Sequence, residues 1–134
     1  MAEQKQQQQT QEPQRTAAAP GYTGEMDPTT LEAWKKQYKA VHRIEVVGEQ
    51  DAQGNPTLYY VGYLRGPNRN HIANAMSYVK QNLLVEAGEV LLANCWLGGA
   101  EVLRDDDPEN ELYTGACMGC YDILEIPDAS AKKL

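Results

Sequence analysis

Two cysteines at CxxC spacing, Cys117-Met-Gly-Cys120, and a third upstream, Cys95, are the residues of this chain best suited to chemistry. The pattern admits three readings: a redox pair, part of a metal site, or small apolar filler on a buried helix face. A thioredoxin-type pair sits where a strand opens into a helix, so that the helix N-terminus lowers the first thiol's pKa. Here the spacing puts the pair roughly three turns into a helix that begins at Pro108, which removes that help. A structural zinc site needs four thiolate or imidazole ligands, usually as two close pairs. The only other candidates, Cys95, His42 and His71, are each isolated in sequence. A site of three cysteines and one histidine remains open, as does a small redox protein using Cys117 and Cys120. Filler explains more of the pattern: Leu112, Gly115, Ala116, Gly119, Cys120 and Ile123 recur at three- and four-residue spacing. Gly and Ala on that face allow close approach of a neighbouring helix. Two glycines inside a helix cost roughly 1 kcal/mol each relative to Ala, and tight packing is the compensation that the pattern predicts.

The remaining constellations carry less. Neither histidine has an acidic or nucleophilic neighbour at a telling spacing, so both read as structural. The acidic residues 105–107 lack the alternating ligands and distal bidentate Glu of a calcium loop and read as helix initiation. "LGGAE" has the wrong spacing for a phosphate loop. The expectation is a protein that is not an enzyme and holds no cofactor.

These residues must be positioned by elements that the rest of the chain predicts. The chain has 134 residues, enough for one domain. Residues 1–26 contain no Val, Ile or Leu and carry seven glutamines before residue 15. Such a head cannot bury enough apolar area to offset an ordering cost of about 1–2 kcal/mol per residue, so it reads as disordered. Residues 27–128 form the single predicted domain, of α+β class, and 129–134 a polar tail. In "DPTTLEAWKKQYKA", Asp27 is the N-cap and Pro28 the first helical residue of a short amphipathic helix over 28–39. "VHRIEVVGE" and "TLYYVGYLRG" alternate as strands around the turn residues "DAQGNP" and predict a two-stranded antiparallel hairpin. His42, Ile44 and Val46 share one face of the first arm, and Tyr59, Val61 and Tyr63 share one face of the second. A three-helix C-terminal part follows: 68–81, a second helix from about Leu84 closed by Gly98 and Gly99, and 108–125, begun by Asp107 and Pro108 and closed by Pro127.

The net charge of −7 hides an asymmetry. Residues 28–85 hold seven basic and four acidic side chains, and residues 86–128 hold eleven acidic ones against the single Arg104. The imbalance is the wrong sign for general nucleic-acid binding, which needs a concentrated basic face. It suits either a solvated acidic face or a basic half that meets the acidic half of the next copy. Three cysteines, no hydrophobic leader after Met1 and only short apolar runs predict a soluble protein of a reducing cytoplasm, away from membranes.

The order "WKKQYKAVHRIEV … YYVGYLRGPNRNHIANAM … AGEVLLANCWLGG" resembles a group of small phage and prophage proteins from Bacteroides-type gut bacteria. In that group a "WKxxxGKVYRIEV" opening leads through an aromatic strand to an "RRPxR" turn and then a helix ending in "NCWLGG". The group is similar to phage tail assembly chaperones. The resemblance covers about residues 30–100 and, loosely, the last helix; "NCWLGG", residues 94–99, is its most specific piece. This chain departs from it at Lys39 and Ala40, where the group has a Gly-Lys pair, and at Gly66, where it has Arg. The resemblance implies a non-enzymatic factor of the bacterial host cytoplasm that binds the tape-measure protein, tail-tube subunits or both, with copies lining up by self-association. The alternative is a stoichiometric virion protein, a capsid or tail accessory component whose flexible head becomes an arm on neighbouring subunits. Under either role the expected partner contacts are Trp96, Arg65, Arg69, Tyr59 and Tyr63.

Overall fold

In a computed structural model of the chain, residues 19–124 and 129–134 are described. The fold is mixed: a four-stranded sheet and, among the described residues, four α-helices and one 3-10 turn. Strand β1 is Gly21–Thr23, helix α1 Pro28–Gln37, β2 Val41–Gln50 and β3 Pro56–Arg65. Helix α2 is Arg69–Val79, α3 Leu84–Cys95, β4 Trp96–Gly99, the 3-10 turn Glu101–Arg104, and α4 Glu111–Asp122.

Strand β3 is the spine of the sheet. β2 pairs antiparallel with it along its length, from Val41 opposite Arg65 to Gln50 opposite Pro56. The other side of β3 is shared: β1 lies parallel against residues 58–60, and β4 antiparallel against residues 62–64. An isolated two-stranded ribbon is marginal in water, and these two short strands complete a sheet that can be stable. The predicted architecture is corrected in three respects. The first element is a strand rather than a helix, the hairpin is the centre of a mixed four-stranded sheet, and a strand interrupts the C-terminal helices. The expected disordered head also ends too late, because Gly21–Thr23 is paired; residues 1–18 lie outside the described residues.

Local chemistry explains most of the element ends. The Asp27 carboxylate accepts the Thr30 N–H at 2.7 Å and caps α1. Asn68 and His71 cap α2 reciprocally: the Asn68 side chain accepts the His71 N–H at 3.0 Å, and His71 Nδ1 accepts the Asn68 N–H at 3.1 Å. α4 starts at Glu111 rather than Pro108, since Asp107 spends its carboxylate on the Glu109 N–H in a tight turn. Asn110 takes over as cap: its Oδ1 accepts from Leu112 N, and its Nδ2 bridges the Val102 and Asp105 carbonyls at 2.8 and 2.7 Å. α4 closes after Asp122, short of the expected residue 125, which lies with Pro127 outside the described residues. α3 closes after Cys95, not at the glycines, because "WLGG" finds the open edge of β3.

The core lies between one face of the sheet and α2, α3 and α4. Ile44 and Leu64 from the sheet meet Ala75, Ala87, Leu91, Leu92, Leu103, Ala116 and all three cysteines. Its small side chains bring backbones close. A Cβ added at Gly88 of α3 would overlap the Cys117 carbonyl of α4, and one added at Gly115 would come to 2.9 Å from Val46 of β2. Gly115 and Gly119 therefore serve approach to a strand, with Val46 and Ile44 beneath them, rather than the helix contact expected of them. On the opposite face of the sheet α1 places the Trp34 ring 5.9 Å from that of Tyr63.

Candidate functional site

Register places an aromatic and cationic patch on the face of the sheet away from the core. Val47 and Tyr22 both pair with Tyr59, so the three form one transverse row across β2, β3 and β1. The Tyr22 and Tyr59 rings stack with centroids 5.4 Å apart and planes at 11°. Tyr22 is 40% exposed and Val47 37%, both high for apolar side chains of a sheet. Two rows away, Arg43 pairs with Tyr63 and lies 5.2 Å from the Tyr22 ring centroid. Its guanidinium is pinned: Nη1 donates to Glu25 at 2.9 Å and to the Tyr63 hydroxyl at 3.0 Å, and Nε donates to Glu45 at 2.8 Å. Burial disfavours the charge, but the carboxylates of Glu25 and Glu45 outweigh it and raise the Arg43 pKa above its ordinary value. A fixed cation beside stacked phenols offers planar hydrogen bonding and apolar contact to another chain.

Against this geometry the five expected contact residues separate into three places. Tyr59 belongs to the patch. Tyr63 lies on the same face but is buried, 5.9 Å from the Trp34 ring, and its hydroxyl supports Arg43. Trp96 is on the opposite face: its ring fills the space above Gly62, where a Cβ would stand 2.5 Å from it, and Arg104 covers it at 5.5 Å. The helix-end position read for Trp96 is thus a strand position, half-buried against the core. Arg65 is at the far end of β3, 5.0 Å over the Tyr38 ring, and Arg69 is exposed at the start of α2. Arg43, which organises the patch, was not among the expected residues. Its signal was its alternation with Ile44, which puts a charge opposite an aromatic strand.

The cysteines are all free and buried in one cluster. Burial, then the nearby Glu89 carboxylate, pushes the Cys117 thiol up to about 11, and burial with its sulfur neighbours raises Cys120 as well. Thiols held protonated are poor nucleophiles and poor metal ligands. No group of three or more His, Cys, Asp or Glu among the described residues is arranged to hold a metal ion. One contact that sequence spacing hid is Cys95 Sγ, 3.5 Å from His71 Nδ1. Burial raises the thiol and lowers the imidazole, so the pair is a neutral thiol beside a neutral ring and not a thiolate–imidazolium dyad. Tyr113 donates to Glu89 at 2.7 Å alongside Cys117, which closes that side of the cluster. No helix among the described residues is long and apolar enough to cross a membrane. No family model, curated protein or solved structure matches this chain.

Proposed function

We propose that this chain is a non-enzymatic assembly protein of the phage-tail chaperone kind, which binds the tape-measure protein or tail-tube subunits through the patch on its outer sheet face. The observation that carries the reading is the row Val47–Tyr59–Tyr22, exposed at its two ends and half-buried at Tyr59, with the pinned Arg43 beside it. Aromatic and arginine side chains on a rigid base are the residues that dominate protein–protein binding energy. A tape measure is a long helical chain with an apolar stripe, and a flat aromatic surface gives such a stripe temporary cover. The sequence motifs shared with the phage group, "NCWLGG" above all, support the same class. Host cytoplasm is the compartment that this role requires.

The second reading, a virion component, draws support from β1. Its pairing anchors the chain to the sheet at Gly21–Thr23, a few residues after the glutamines of positions 4–14 in the sequence.

Co-expression with the tape-measure protein of the same phage genome tests the first reading. The two should co-purify, and Tyr22→Ala with Tyr59→Ala should weaken the complex by more than about 1 kcal/mol while leaving the fold intact. Failure to co-purify with tape-measure or tail-tube protein would sink it. Mass spectrometry of purified virions separates the two readings, since stoichiometric peptides in mature particles belong only to the second.

A further inference from the structure

The charge asymmetry of the sequence becomes a spatial one. At the end of the hairpin where Val41 pairs with Arg65, a cavity of about 360 Å³ is lined by Lys39, His42, Arg65 and Asn68 over a floor that includes Ile72 and Ile123. At the other end, Glu49, Glu109 and Glu111 surround an open hollow beside Val46 and Leu112. The eight residues of β2 between these ends span about 26 Å at about 3.3 Å per residue. Between them α4 runs from Leu112 at the acidic end to Ile123 at the basic end. Among the described residues, the ion pairs use Glu25, Glu32, Glu45 and Glu101; none involves Lys39, Arg65, Arg69, Glu49, Glu109 or residues 105–107.

We infer that copies of this chain join head to tail, the acidic loop of residues 105–109 on one copy seated in the basic cavity of the next. This deepens the assembly reading and rests on it for its purpose, though the contact itself needs no tail protein. Three observations favour a second copy as the occupant. The loop is exposed and already shaped: Asp105 accepts the Asp107 N–H at 3.2 Å, Asp107 accepts the Glu109 N–H at 2.8 Å, and Asn110 ties the loop to Val102. Docking it therefore costs little ordering entropy. The distance between the ends prevents a copy from closing on itself. A two-fold contact centred on either end would bring like charge to like, whereas a head-to-tail contact pairs unlike charges and repeats into a ring or filament.

Sedimentation of the purified full chain tests this. Wild type should form species larger than a monomer at low salt and return to monomer near 1 M, where the Debye length is about 3 Å. Lys39→Glu in the cavity together with Arg69→Glu, next in sequence to the lining residue Asn68, and separately Asp106→Lys with Glu109→Lys, should each weaken self-association at least tenfold. All four positions are exposed, and circular dichroism checks that each variant is folded. The neutral changes Lys39→Gln and Asp106→Asn should act in the same direction if a reversal fails to fold. Mixing the two reversed variants should restore association, because the acidic loop of the first meets the basic cavity of the second and the two reversed ends are again opposite in charge. A monomeric wild type at low salt overturns the inference. So do variants that assemble like wild type, and a mixture that forms no pair. Because no tail protein is present, failure here leaves the proposed function standing, and loss of tape-measure binding leaves this contact standing.

Discussion

Replacing Gly88 by Ala tests the central packing claim, that the cysteine cluster is a place where two helix backbones touch. In an open helix this change stabilises by about 1 kcal/mol, because glycine is the poorer helix former. Here the new methyl would overlap the Cys117 carbonyl and stand 2.5 Å from its carbon and 2.9 Å from its Cα. A backbone cannot turn aside as a side chain can, so α3 and α4 must move apart around Leu91, Leu92 and Ala116. Overpacking of a close-fitted core costs typically 1–3 kcal/mol, and an immovable obstacle belongs at or beyond the upper end. Subtracting the propensity gain leaves a net loss of about 2 kcal/mol, or roughly 8–16 °C in Tm for a domain of this size. Gly119→Ala is the internal control. Its added methyl would meet Ile44 at 3.4 and 3.5 Å, an ordinary contact, so it should be neutral or gain up to about 1 kcal/mol. Urea unfolding at constant m reads both. A Gly88→Ala protein as stable as wild type, or a Gly119→Ala protein that loses as much, would refute the reasoning.

The cysteines should resist alkylation in the native protein. With Cys117 raised to about 11, iodoacetamide at pH 8 should react at least ~100-fold more slowly than in urea, and rapid native labelling would contradict the filler reading. Stability should also depend on His71. Its native pKa lies below the ordinary 6.5 through burial and then the Arg65 charge, so the neutral ring is the form that folding favours. Stability should be full above pH ~6.5 and fall as pH drops from there through the depressed native value. His71→Gln keeps an N3 side chain able to serve the capping box and should flatten that slope in pH-dependent urea melts; an unchanged slope would place the titration elsewhere.

The elements that sequence pattern made legible are those whose signal is local. Asp27-Pro28 announces α1, and the alternation of Arg43, Ile44 and Glu45 separates a buried face from an exposed one, with Ile44 only 5% exposed. Strands β1 and β4 were illegible for a physical reason. Three or four residues contain no readable period, and "GYT" and "WLGG" become strands only because β3 has a free edge for them. That is information carried by residues 32 or more positions away. The start of α4 was misplaced because Asp107 and Asn110 are both good caps, and the choice turns on two carbonyls, of Val102 and Asp105, that only the folded chain brings within reach of Asn110. Trp96 differs in element alone: expected at a helix end, it is the strand partner of Leu64, and that pairing turns it to the core face.

Because β3 alternates strictly, one strand separates the core from the outer face of the sheet. Its even positions, Tyr60, Gly62 and Leu64, look toward the helices, and Gly62 is where Trp96 docks. Its odd positions, Tyr59, Val61 and Tyr63, build the outer face, and only Tyr59 of these keeps contact with solvent, since Val61 and Tyr63 are buried. A change at Tyr59 therefore alters what the sheet presents without opening the core, whereas a change at Tyr63 removes the hydroxyl that holds Arg43 and disturbs the patch from below. The distinction matters for any binding measurement. Loss of a partner on Tyr63→Phe with the fold intact would mean that Arg43 must be fixed in place to be recognised, and the energy of that contact lies in preorganisation as much as in area.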